Sequence, residues 1–535
     1  MRLPFRTEVW YYLLPLLLAT SSYSQVWQPD LGDGRYKNPI IHADYSDPDV
    51  TRHGGDFYMT ASSFNCAPAL PILHSKDLVN WQLINHAVVR QPPFDVFDKP
   101  QHGNGVWAPA IRCHDGWFYI FYGDPDFGIY MVKTQDPAGP WEAPHLVRAA
   151  QGWIDPCPFW DDDGKAYLVH AFAGSRAGNK SIVVLHEMSP DGTRLLDDGV
   201  LVFDGHEDHP TIEGTKMHKR NGYYYILAPG GGVAQGWQTL LRSRNIYGPY
   251  EDKIVLHQGS TNVNGPHQGA WVELENGDDW FIHFQEKQPY GRIVHLQPAR
   301  WKDDWLTIGE DINGDGIGEP VSTWKKPNVG KAYPVKVPQT SDEFDSPKRG
   351  LQWQWHANPE ALWSFPTAMG FLRMNPVILP EDLKNLWDAP NLLLQKMPAE
   401  AFTATTKLTF HHHFDGERTG LIVMGRDYAH LTLEQEKGQL VLKQATCYGA
   451  EQGQPEKMVE TMPIEQNEMV LRVRISAGGK CQFAYSLDGK DYIDFGDRFQ
   501  AKEGKWIGAK VGIFCARQEH ENNGGYADYD WFRID

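Results

Sequence analysis

Apolar positions fall in two different rhythms along the chain. From about residue 342 to the end, apolar and polar side chains alternate in segments such as Thr406–Phe410 and Met469–Ile475, with Gly and Asp turns between them. A period of two broken by frequent turns predicts half-buried strands, and a long series of such strands predicts a β-sandwich.

Over the first three hundred residues the strands recur as a unit. A turn glycine followed closely by an aromatic on an apolar strand appears five times, in Gly55-Asp56-Phe57-Tyr58, Gly116-Trp117-Phe118-Tyr119, Gly164-Lys165-Ala166-Tyr167, Gly222-Tyr223-Tyr224-Tyr225 and Gly277-Asp278-Asp279-Trp280. The aromatics stand 61, 48, 58 and 55 residues apart, which is room for a four-stranded sheet and its loops each time. In three units a polar turn then leads into Trp81, Trp141 or Tyr250, as an outer strand would require. The pattern predicts an all-β chain: a five-bladed β-propeller over residues 25–325, a linker over 326–341 beginning Lys326-Pro327-Asn328, and the sandwich over 342–535.

Composition narrows what such a chain can bind. At 535 residues two domains are expected, and 20 Trp, 23 Tyr and 24 Phe beside 51 Gly and 37 Pro suit a turn-rich β protein. The net charge of -18 opposes nucleic acid, whose binding runs on Lys and Arg neutralising phosphates, so a neutral ligand is expected. Six scattered cysteines without a CxxC pair suggest neither a zinc site nor a disulfide scaffold. Residues 1–24 read as a signal peptide, with Arg2 and Arg6, an apolar run broken by Pro15, and small polar residues before Gln25. The expected product is periplasmic or secreted, with no membrane span once the leader is removed.

Counting back from each repeat aromatic reaches the preceding strand, which is innermost in a propeller. Asp47 lies 11 residues before Tyr58, Trp107 lies 12 before Tyr119, Asp155 12 before Tyr167, Glu213 12 before Tyr225 and His267 13 before Trp280. Three carboxylates are therefore expected at a common axis, where burial costs several kcal/mol unless they are hydrogen-bonded or partly solvated. Without a Cys or His metal cluster they suit acid and base work on an acetal, one group protonating a leaving oxygen while another activates water. A neighbouring acid can hold the proton donor protonated near neutral pH. Trp107 and Phe64 offer apolar faces for a sugar ring.

These residues resemble glycoside hydrolase family 43 over about residues 37–325. The motifs are Asn38-Pro39-Ile40-Ile41, Ser46-Asp47-Pro48-Asp49, Gly105-Val106-Trp107-Ala108-Pro109-Ala110, Ile154-Asp155-Pro156, Glu213-Gly214 and Gly291-Arg292-Ile293-Val294-His295. The resemblance implies an inverting enzyme with Asp47 as general base, Asp155 as the residue that tunes and orients the acid, and Glu213 as general acid. Inversion implies that Asp47 and Glu213 stand roughly 6.5–9.5 Å apart. His267 and Arg292 resemble residues lining the sugar subsite. Ala110 departs from the pattern, since many members carry Asp there, which weakens any transfer of substrate preference through this position.

The C-terminal half resembles the concanavalin-like sandwich of the xylosidase and arabinofuranosidase branch, which implies exo action. The expected substrate is a terminal α-L-arabinofuranosyl residue on plant cell-wall oligosaccharide or polysaccharide, such as xyloglucan or arabinoxylan. β-D-Xylosidase is the close alternative, and a non-catalytic carbohydrate-binding propeller the more distant one. No cofactor is required. Asp311, Asn313 and Asp315 repeat oxygen ligands at alternate positions and make a candidate structural calcium loop, without the acidic twelfth residue, which is Ser322.

Overall fold

The computed structural model describes residues 25–518 and 523–535, so the expected signal peptide lies outside the described residues. The propeller comprises five antiparallel four-stranded sheets, each built from consecutive strands. Their inner strands are Asp49–His53, Trp107–His114, Trp153–Trp160, Lys216–Arg220 and His267–Glu273. Each repeat aromatic sits on the second strand of its blade.

The repeat glycine lets the chain reverse between the first two strands. At Asp115-Gly116 and Asn221-Gly222 both central residues take left-handed φ, the type I′ geometry that Asn-Gly and Asp-Gly favour and that matches strand twist. Trp81 starts an outer strand, Tyr250 immediately precedes one, and Trp141 stands four residues before one.

The ring is closed by its ends. Arg35–Lys37 pairs antiparallel with Thr323–Lys325. The Asn38 amide donates to the carbonyls of Leu296 and Val321 while its oxygen accepts from Leu296 N–H. That motif residue is therefore a clasp between the start of the propeller and its fifth blade.

The C-terminal half is a two-sheet sandwich. One sheet centres on Lys510–Arg517, between Leu393–Lys396 and Arg418–Met424; the other centres on Phe402–His411, between Glu468–Ser476 and Tyr526–Ile534. The two alternating segments read from sequence are direct neighbours, Thr406 opposite Leu471 and Leu408 opposite Met469. Their apolar positions fill one continuous core with Leu421, Leu431, Ile513 and Phe532. All six cysteines are free.

The two domains are tied by backbone as well as side chains. Ala67 and Trp355 exchange N–H···O bonds, Gln91 and Asn358 bond reciprocally, and Ala509 N–H donates to Pro289 O. Gly508 N–H and Arg292 N–H share the two oxygens of buried Asp44. That carboxylate sets a sandwich loop, residues 503–508, against the strand that carries Arg292. Among the described residues no helix is long and apolar enough to cross a membrane.

Candidate active site

A cavity of about 420 Å³ opens at the propeller mouth, where the inner strands begin. Asp47, Asp155 and Glu213 all line it, with Phe64, Trp107 and Arg292. Asp47 and Asp155 are 5% and 2% exposed, and the Glu213 side chain is 19% exposed.

The backbone at the mouth is bent out of the strand conformation. Each blade places one left-handed residue there: Asp47 (φ 53°), Ala108 (28°), Asp155 (58°), Gly214 (65°) and Gln268 (40°). Pairing slips by a residue beside three of them. The bend defines the structural equivalence, and it lies one residue beyond Trp107, Glu213 and His267, the positions that counting from the aromatics selects. Phe64, Thr211 and Trp506 on the cavity wall are also left-handed. A non-glycine residue in that region costs about 1–3 kcal/mol, and such strain collects at functional sites.

Donors surround each Asp. Asp47 Oδ2 accepts from Ser46 Oγ and Ser62 Oγ, both at 2.6 Å, and Ser62 Oγ in turn accepts from Ala108 N–H. Arg292 Nη1 lies 3.3 Å from both Asp47 oxygens and 2.7 Å from Ser46 Oγ. Asp155 Oδ2 accepts from Gly214 N–H at 2.5 Å and Gln268 Nε2 at 3.1 Å. Asp49, two residues after Asp47 in the same motif, is fully buried and is bound instead by Arg112 Nη1 and Ile111 N–H.

Glu213 has no such donors among its side-chain contacts. Burial pushes its carboxyl above the ordinary range, and the charges of Asp155 and Asp47 push it the same way, against Arg292. Burial also raises Asp155, but Lys216 and the Gly214 N–H favour its charged form. The proton held by this pair therefore belongs on Glu213. His267 is fully buried behind Glu213, with Nε2 3.6 Å from Oε1, and does not reach the cavity wall. Burial holds its imidazole down to about 3, so it stays neutral.

This arrangement can supply a proton from one carboxyl and accept one at another, across a space wide enough for a sugar. The chain matches the profile described as glycosyl hydrolases family 43 over residues 36–306, and the beta xylosidase C-terminal concanavalin A-like domain over residues 341–535. The protein belongs to glycosyl hydrolase family 43. It is a glycosidase. It is 41% identical over 496 residues to a putative beta-xylosidase of Xylanibacter ruminicola, covering 90% of this chain and 86% of that one. A non-reducing end alpha-L-arabinofuranosidase of Bacteroides ovatus is 27% identical, covering 94% and 95%. The solved xylan beta-1,4-xylosidase of Bacillus halodurans superposes with a TM-score of 0.82 at 25% identity, over 93% of this chain and 99% of that one.

Two site residues were beyond the reach of sequence reasoning. Trp506, from the sandwich, enters the cavity wall edge-on to Trp107 at 6.3 Å, with the Arg292 guanidinium 5.6 Å from its ring. Only its position in Gly504-Lys505-Trp506-Ile507-Gly508, an aromatic in a glycine-flanked turn, hinted at exposure. Gln268 was hidden beside His267. Ala110 is fully buried between blades and touches no part of the cavity. Asp311, Asn313 and Asp315 lie in an exposed loop after the last blade, apart from the acids. Their side chains accept from the backbone N–H groups of Gly314 and Gly316, Asp315, and Ile317 respectively, as Asx turns do.

Proposed function

We propose that the protein is an exo-acting β-D-xylosidase that releases terminal xylose from hemicellulose oligosaccharides with inversion. In this reading Asp47 accepts a proton from the attacking water, Glu213 protonates the departing glycosidic oxygen, and Asp155 keeps the proton on Glu213. Arg292 and the two serines hold Asp47 in place for that task. The observation that carries the reading is the asymmetry of the acids: Asp47 and Asp155 are ringed by donors, whereas Glu213 is buried among negative charges.

Support for exo action comes from Trp506, which gives the propeller cavity a wall from the other domain. Support for xylose comes from the relative at 41% identity, named a putative beta-xylosidase, and it displaces the arabinofuranosyl preference expected from sequence. The relative at 27% keeps arabinofuranose as the second reading. The leader pattern of residues 1–24 supports action outside the cytoplasm.

The test compares kcat/KM on p-nitrophenyl β-D-xylopyranoside and p-nitrophenyl α-L-arabinofuranoside, with the anomer released first from a xylo-oligosaccharide followed by NMR. Preference for xyloside and an inverted first product are expected. Faster cleavage of the arabinofuranoside would transfer the assignment to the second reading, and a retained anomer would remove the base role from Asp47.

A further inference from the structure

Gln268 contributes one side-chain hydrogen bond, and it goes to an acid of the site. Its Nε2 donates to Asp155 Oδ2, the same oxygen that accepts from Gly214 N–H. Its own carbonyl, Oε1, is buried without a hydrogen-bond partner in the protein. The residue is 5% exposed and left-handed, although glycine follows it at 269 and would take that backbone without strain. A side chain chosen for stability would not combine a strained backbone with an unpaired carbonyl.

The neighbouring chain makes room for it. A Cβ on Gly214 would stand 2.5 Å from Gln268 Cγ, so the residue after Glu213 is left bare where the glutamine stem passes. The amide thus reaches Asp155 across the backbone of the residue next to Glu213.

We propose that Gln268 is a positioning residue for the acid pair: its amide holds Asp155 in the charged form, and that charge keeps the proton on Glu213. An N–H donor stabilises a carboxylate over a carboxylic acid, and a nearby carboxylate then disfavours ionisation of a second one. Burial and the Asp47 charge raise Asp155, and Lys216, the Gly214 N–H and Arg292 oppose them; the Gln268 amide is a further donor on the opposing side, and without it that opposition weakens. The shared proton moves toward Asp155, and Glu213 loses the like charge that held its own proton.

This inference rests on the hydrolase reading and is tested with Gln268→Met, which keeps the stem and removes the amide. On p-nitrophenyl xyloside kcat falls about tenfold near neutral pH, and the acid limb of kcat/KM, where Asp155 takes up a second proton beside Glu213, moves up by about one pH unit. KM changes little. The loss is smaller on 2,4-dinitrophenyl xyloside, whose leaving group needs little protonation. In an Asp155→Asn background the same substitution leaves the limb in place.

Equal losses on both substrates with an unmoved limb would overturn the assignment, as would an effect on KM alone. Infrared titration of the unaltered enzyme, with Asp155→Asn as the difference reference, tests it without the variant. A carboxylate band for Asp155 at neutral pH is required, and a protonated carboxyl there overturns it. If the unaltered enzyme cleaves neither aryl xyloside nor aryl arabinofuranoside, the hydrolase reading fails separately; if it cleaves and the limb stays, only the role of Gln268 does.

Discussion

The inner strands of the propeller meet left-handed backbone at both ends, and the residues chosen at the two ends differ. At the hairpin end the positions are Asp115-Gly116 and Asn221-Gly222, residue types that enter this region cheaply. At the mouth Asp47 and Asp155 share that ease, but Ala108 and Gln268 do not, and the cavity wall adds Phe64, Thr211 and Trp506, which do not either. One end is composed for turning the chain. The other accepts strain in order to aim carboxylates, donors and aromatic rings at one space. Of sixteen left-handed non-glycine residues among those described, seven line this cavity, a concentration that turn chemistry does not explain.

If strain at the mouth serves chemistry, changes to the aimed groups should remove activity and leave folding intact. Glu213→Gln and Asp47→Asn are isosteric and keep the backbone. Each should lower kcat on p-nitrophenyl xyloside by about 10²–10⁴-fold, the range for loss of a general acid or base; calorimetry should show Glu213→Gln unfolding no lower than the parent, and Asp47→Asn, which leaves the buried Arg292 guanidinium without the Asp47 carboxylate, folded but unfolding at a lower temperature. Glu213→Gln should also lose the alkaline limb of the pH profile, because burial and the nearby Asp charges raise that carboxyl above its ordinary range and its deprotonation shuts the parent enzyme down. A near-normal rate in either variant would break the comparison at its functional end.

Trp506 sharpens it, because its strain lies in the other domain. Trp506→Ala should lower kcat/KM about tenfold through KM, the scale of one aromatic face against a sugar, with kcat nearly kept. A collapse of kcat would instead mean that the sandwich loop shapes the acids themselves, through Asp44 and the strand that carries Arg292.

Much of this was legible because the repeat is strict and the two periods of apolar positions are unmixed. Five glycine and aromatic pairs located five second strands, and a fixed count back from them reached Asp47, Asp155 and Glu213 from three blades. The count faltered by one residue at Trp107, Glu213 and His267; beside Trp107 and His267 the strand pairing slips by a residue, an irregularity that leaves no mark in hydropathy. His267 looked like a wall residue, but its ring is buried behind Glu213, with Nε2 3.6 Å from the carboxyl. Trp506 and Gln268 went unseen for different reasons: one arrives from 200 or more positions away through an interdomain loop, and the other is a polar neighbour of a more conspicuous histidine. Asn38 belonged to the motif set yet serves ring closure, and Asp49 in the Asp47 motif serves Arg112. A sequence motif records what must be kept, whether for chemistry or for folding.

The smallest expected effect addresses the hairpin end directly. Gly116 lies in open space, so a Cβ there would meet no atom, and the cost of Gly116→Ala is backbone strain alone. About 1–2 kcal/mol of stability should be lost from the propeller, with kcat/KM unchanged. At the mouth the reverse substitution, Ala108→Gly, relieves strain but adds freedom to the unfolded chain and removes one buried methyl, so the opposing effects leave stability within about 0.5 kcal/mol of the parent. Ala108 N–H would still reach Ser62 Oγ, and through it Asp47. Denaturant unfolding of both variants beside the parent measures the difference. If Gly116→Ala is neutral, or Ala108→Gly costs as much as Gly116→Ala, left-handed backbone is equally tolerated at both ends, and the strain at the mouth needs no functional explanation.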